Sequence, residues 1–113
     1  MLVGRYKGAR YYYRMQLTAE YVLNELADHA DVLRGFGVKR IGLFGSVVRG
    51  EATERSDLDF LVEFERHTSR DYFGTLFFLE DHFGCQVDLV MIEALKPALA
   101  PYVLPEVVYA QGL

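Results

Sequence analysis

Gly45-Ser46 and, ten residues further on, Asp57-Leu58-Asp59 are the residues of this chain whose types and spacing could do chemistry together. An extended strand sends successive side chains to opposite faces, so Asp57 and Asp59 share a solvent face while Leu58 and Phe60 share a core face. Two carboxylates held close together repel, and one of them keeps a proton unless a cation lies between them. Magnesium suits the place, because it prefers oxygen ligands and is usually held by one or two carboxylates plus the phosphates of its substrate. Two such ions, roughly 3.5–4 Å apart, stabilise both the attacking and the leaving oxygen of an in-line displacement at phosphorus. The chemistry indicated is nucleotidyl transfer.

A two-metal site needs a further oxygen ligand, and Asp88 is the candidate. Cys85 to Ile92 reads as a buried strand with one charge in its middle, flanked on the opposite face by Val87 and Leu89. If that strand lies beside the one carrying Asp57 and Asp59, three carboxylates converge at one edge of a sheet. The bland readings are a strand-end charge turned outward for Asp88 and a solvated turn-to-strand junction for the aspartate pair.

Glycine at 45 lets backbone approach a phosphate closely, and N–H groups at a helix start attract an anion. Ser46 either hydrogen-bonds a β- or γ-phosphate or caps a short helix from Val47 to Gly50. Arg49, about one turn on, reaches the triphosphate or else makes a surface ion pair with Glu51 or Glu54.

An alternation of helices and strands must position these groups. Ala19, Val22, Leu23, Leu26, Ala27, Ala30 and Leu33 recur at helical spacing, with Thr18 placed to cap the start and Gly35 or Gly37 to end the helix. Strand Val38 to Phe44 leads into the Gly-Ser turn, and strand Asp57 to Glu65 follows. Ser69 can cap a helix that runs to about Phe83, where Gly84 stops it. Strand Cys85 to Ile92 comes next. Pro97, Pro101 and Pro105 limit the tail to short helical turns around Pro97 to Leu104, and Val107 to Ala110 reads as a short terminal strand. The fold class predicted is α/β (α+β), a small mixed β-sheet packed with helices.

With these motifs in place, the chain resembles the minimal nucleotidyltransferases of the DNA polymerase β-like superfamily, specifically the small antitoxins encoded beside HEPN-domain toxins. Gly45-Ser46, the ten-residue gap and Asp57-x-Asp59 match that signature. Arg49-Gly50-Glu51, Ser56-Asp57-Leu58-Asp59 and Val87-Asp88-Leu89-Val90 match its surroundings, and the likeness covers roughly Leu17 to Tyr109. It implies a nucleotidyltransferase fold and magnesium-dependent transfer of AMP from ATP to a tyrosine hydroxyl of a partner HEPN ribonuclease, which silences that toxin. Asp57 and Asp59 are then implied to bind two Mg2+ ions, and Asp88 to bind one of them and help deprotonate the hydroxyl. Gly45, Ser46 and Arg49 are implied to hold the triphosphate. Two other readings share the motif: a transferase acting on a small molecule of the aminoglycoside type, and an antitoxin that neutralises its partner by binding alone.

Composition bounds the rest. The chain has 113 residues and is 51% hydrophobic, enough for one domain with a real core. Its single cysteine, Cys85, can form no intrachain disulfide, which fits a reducing compartment. His29, His67 and His82 show no metal-ligand spacing, and His82 with Cys85 is only a pair. A formal net charge of -4 argues against direct nucleic-acid binding. No apolar run is long enough to span a bilayer and no secretory signal opens the chain, so a soluble, cytoplasmic protein is expected.

Residues 1–14, where Arg5, Lys7, Arg10 and Arg14 alternate with tyrosines, read as a basic, aromatic and disordered extension outside the resemblance, before a single domain at 15–113. Met15 is a candidate initiator. Between Tyr72 and Phe83 aromatic and apolar residues cover more of the helix than a one-sided surface helix needs, so either the sheet and tail bury them or a partner does. A chain this short is expected to bring no second domain for an acceptor, which would place the acceptor pocket on another polypeptide or on a second copy.

Overall fold

The apolar stripe after Thr18 forms helix in the computed structural model, which describes residues 17–53 and 55–113. Thr18 caps it as expected, its Oγ1 accepting from the Tyr21 amide at 3.1 Å. The single helix expected is instead two, α1 (Ala19–Asp28) and α2 (Ala30–Gly35), jointed at His29 with φ -109° and ψ 25°. There the His29 amide is shared between the Glu25 carbonyl at 3.1 Å and the Leu26 carbonyl at 3.2 Å, a three-centred bond common at helix ends, and the ring Nδ1 lies 2.9 Å from the same Glu25 oxygen.

Strand β1 (Val38–Phe44) ends at the Gly-Ser turn, and β2 (Leu58–Phe64) begins one residue after Asp57. The short helix expected at Val47–Gly50 is absent: the segment is a series of hydrogen-bonded turns, with Arg49 N–H to Gly45 O at 3.2 Å and Glu51 N–H to Ser46 O at 2.9 Å. Helix α3 (Ser69–Phe83) has the predicted span, but its cap is Thr68, whose hydroxyl accepts from the Asp71 amide at 3.1 Å; Ser69 is the first helical residue. Gly84 closes it in the left-handed region, φ 67°, where an L-residue is strained. Strand β3 (Val87–Met91) is shorter at both ends than expected. A 3-10 turn (Ile92–Ala94), α4 (Ala100–Val103) and β4 (Val108–Tyr109) complete the chain.

The sheet runs in the order β3-β2-β1-β4, with β1 antiparallel to β2 and β4, and β2 parallel to β3 across the α3 connection. Ile41, Leu43, Phe60 and Val62 face the helices and join Val22, Leu26, Leu33, Leu79 and Phe83 in one core. Phe60 has no exposed surface, and truncating such a side chain to alanine costs about 3–5 kcal/mol. Helices α1, α2 and α3 pack on this face, and alternation places Phe44, Asp59, Leu61 and Asp88 on the other. Among the described residues no helix is long and apolar enough to cross a membrane. The extension at 1–14, Met15 and Glu54 lie outside the described residues.

Candidate functional site

Register brings the acids together. Phe44, Asp59 and Asp88 are cross-strand partners on β1, β2 and β3, so Asp59 and Asp88 stand side by side on adjacent strands. Asp57 sits at the mouth of β2, where the Leu58 amide donates to Gln86 O at 3.1 Å and locks the start of the β2–β3 pairing. The Ser56 hydroxyl accepts from the Thr53 amide at 2.9 Å, ordering the approach to that mouth. The Tyr72 hydroxyl donates to Leu89 O at 2.7 Å and fastens α3 beside Asp88; burial first and the Asp88 charge second push the tyrosine pKa up.

Asp59 carries the electrostatic load of the site. Its pKa rises from 3.8 to about 6, first because the carboxylate is partly withdrawn from water, then because Asp88 and Asp57 repel its charge; Arg49 pulls the other way. That mutual repulsion is what a divalent cation relieves, and the donors are hard carboxylate oxygens, so the residues fit magnesium. The three aspartates form an open face.

Gly45 lies against these acids. It has φ +88°, and a Cβ added there would overlap Asp59 Oδ2, so the turn tolerates no side chain for reasons of both conformation and space. The amide expected to meet a phosphate is engaged instead by a carboxylate of this chain: Gly45 N–H donates to Glu106 Oε2 at 2.7 Å. Arg49 Nη1 donates to Glu106 Oε1 at 2.7 Å and Nε to Glu51 Oε1 at 2.9 Å. The surface ion pair weighed for Arg49 is therefore formed in part, and the same guanidinium lies near enough to Asp59 to act on its charge. The Arg49 bond first, then the Gly45 amide, hold the Glu106 carboxyl below its usual range, while Glu51 and Glu106 raise Arg49. Ser46, half-buried, follows in the turn.

The structure thus gathers Gly45, Ser46, Arg49, Asp57, Asp59 and Asp88 at one end of the sheet. Glu106 is the residue that sequence reasoning missed. It stands in the proline-bounded tail, and its only signal was a single acid between Pro105 and Val107.

Residues 23–109 match the family described as nucleotidyltransferase domain. The protein adenylyltransferase MntA of Thermococcus cleftensis is 50% identical over 95 residues, spanning 82% of this chain and 96% of that protein. A solved structure assigned provisionally as a minimal nucleotidyltransferase superposes with TM-score 0.69 at 36% identity, over 81% of this chain and 95% of the other. An MNT antitoxin in complex with the tri-AMPylated HEPN toxin of Shewanella oneidensis shares the fold, with TM-score 0.59, 19% identity, and 85% and 74% of the two chains covered.

Proposed function

The chain belongs to the nucleotidyltransferase domain family as a minimal nucleotidyltransferase of the protein adenylyltransferase type, and on that premise we propose that it transfers AMP from ATP to a tyrosine hydroxyl of a partner HEPN ribonuclease toxin, neutralising it in the cytoplasm with magnesium. The observation that carries this reading is the alignment of Asp59 with Asp88 on neighbouring strands, beside a turn whose free-standing amide already binds a carboxylate.

In the proposed step the tyrosine oxygen attacks the α-phosphorus of ATP. A new P–O bond forms as the bond to the β-phosphate oxygen breaks, pyrophosphate leaves, and the phenolic proton passes to Asp88. Asp57, Asp59 and Asp88 would hold the magnesium, which would supply the charge neutralisation that a triphosphate needs beside three acids. Gly45 N–H binds a phosphate oxygen in place of Glu106, with Ser46 beside it, and Arg49 exchanges its bond to Glu106 for one to the triphosphate. The acceptor hydroxyl comes from the partner.

Intact-mass spectrometry of the HEPN protein, incubated with a substoichiometric amount of this chain, ATP and magnesium, tests the reading. AMP additions on most toxin molecules are expected, and the Asp57→Ala/Asp59→Ala chain should add none. One observation favours the binding-only reading: Glu106 fills the turn that a phosphate needs. Inhibition that stops at equimolar antitoxin, with no mass gain, would establish that alternative.

A further inference from the structure

We propose that Glu25, His29 and His82 form a second cation site, for a borderline divalent ion of the zinc class, which ties α1 to α3 on the face of the sheet opposite the aspartates. Glu25 and His29 are one turn apart on α1 and its joint, so their side chains rise on the same side of the helix. His82 reaches them from the last turn of α3, its Nε2 lying 2.8 Å from Glu25 Oε1. The His29 and His82 rings meet edge to face with centroids 4.4 Å apart. One ligand atom from each of the three residues lies within 4.8 Å of the other two. Around a tetrahedral zinc ion, bonds of ~2.0–2.1 Å place ligand atoms ~3.4 Å apart, within reach of small side-chain rotations here.

The surroundings have the character of a built site. His29 Nδ1 lies 2.9 Å from the Glu25 backbone carbonyl; donation there fixes the ring and leaves the lone pair on Nε2, the way metal-bound histidines are commonly oriented. Phe78 stacks on His82 with centroids 5.5 Å apart, and Phe83 meets the same ring edge-on at 5.0 Å, which fixes the imidazole and lowers the local dielectric. Side-chain exposure of 24% for His82 and 23% for Glu25 leaves a way in from solvent. Two imidazoles and one carboxylate select zinc-like ions over magnesium, and a water would fill the fourth position. A hydrogen bond between Glu25 and His82 accounts for two of the groups. It does not account for a second imidazole brought against the first at the helix joint.

The test uses the untagged full-length chain, stripped with chelator and titrated with Co2+, read by the visible absorption of tetrahedral cobalt, and with Zn2+ by calorimetry. One equivalent is expected, retained in the Asp57→Asn/Asp59→Asn chain and lost in His29→Gln/His82→Gln. Glu25→Gln preserves size and a hydrogen bond to His82, so it probes the site even if the double histidine variant fails to fold, and it should weaken binding by at least about tenfold. No tetrahedral cobalt spectrum in the wild-type chain, or an equivalent that survives Glu25→Gln unchanged or disappears with the aspartates, would overturn the proposal.

Discussion

Replacing Gly45 by alanine would drive a methyl group into Asp59 Oδ2 and require an L-residue to hold φ +88°. The backbone term alone is about 1–2 kcal/mol, so Gly45→Ala should lower the urea midpoint by the equivalent of about 2 kcal/mol or more and remove AMP transfer. A variant with wild-type midpoint and full transfer would show that neither constraint operates. Glu106 makes the opposite case, since its carboxylate occupies the amide and the guanidinium that a phosphate needs. Glu106→Gln keeps the shape but gives up the charge of both bonds, so steady-state kinetics should show the KM for ATP falling severalfold with little change in kcat. A raised KM would instead make Glu106 part of nucleotide binding. The local spacing of Gly45, Asp57 and Asp59 was legible because turn and strand lie within one short segment. Glu106 was not, because its contact to Gly45 spans 61 residues and a lone acid in a tail carries no pattern.

At the scale of the elements, periodicity and caps placed every strand and the long helix within a residue or two, and missed the joint at His29 and the turns after Ser46. The helical stripe from Ala19 to Leu33 gave no sign of the joint at His29, where one amide is shared between two carbonyls. The segment after Ser46 closed as backbone hydrogen-bonded turns instead of the short helix expected. In helix α3 Leu79 and Phe83 are buried in the core, while Phe73 and Phe77 stay 49% and 60% exposed with rings 5.9 Å apart. Exposed neighbouring aromatics contribute little to the fold and much to an interface. Phe77→Ser should therefore leave thermal unfolding within about 0.5 kcal/mol of wild type while weakening toxin binding by about 1–3 kcal/mol in calorimetry. Unchanged affinity would move the partner to another face.

Over the whole molecule, an alternation of helix and strand announced a mixed sheet, yet the strand order was not written in any segment. It took the α3 crossover to lay β3 parallel to β2 and set Asp88 beside Asp59, a pairing between residues far apart in sequence. That convergence has a consequence for the stability of the entire domain. Asp59 ionises near 3.8 in an unstructured chain and near 6 in the folded one, so between those values the unfolded state releases its proton first. Folding stability contributed by this group is fully present below the lower value and is lost as pH rises through the upper one. In chelator, the melting temperature of the metal-free chain should show this group as a fall across that window. On the proposed function magnesium would bind the folded state alone, so adding it at about pH 7 should recover the loss. Asp59→Asn removes the titrating group and should flatten the profile, raising the melting temperature at about pH 7 by a few °C in chelator while abolishing transfer. A variant that melts below wild type at that pH without metal would mean that Asp59 stabilises the fold as an anion, and that the strain assigned to the clustered aspartates is absent.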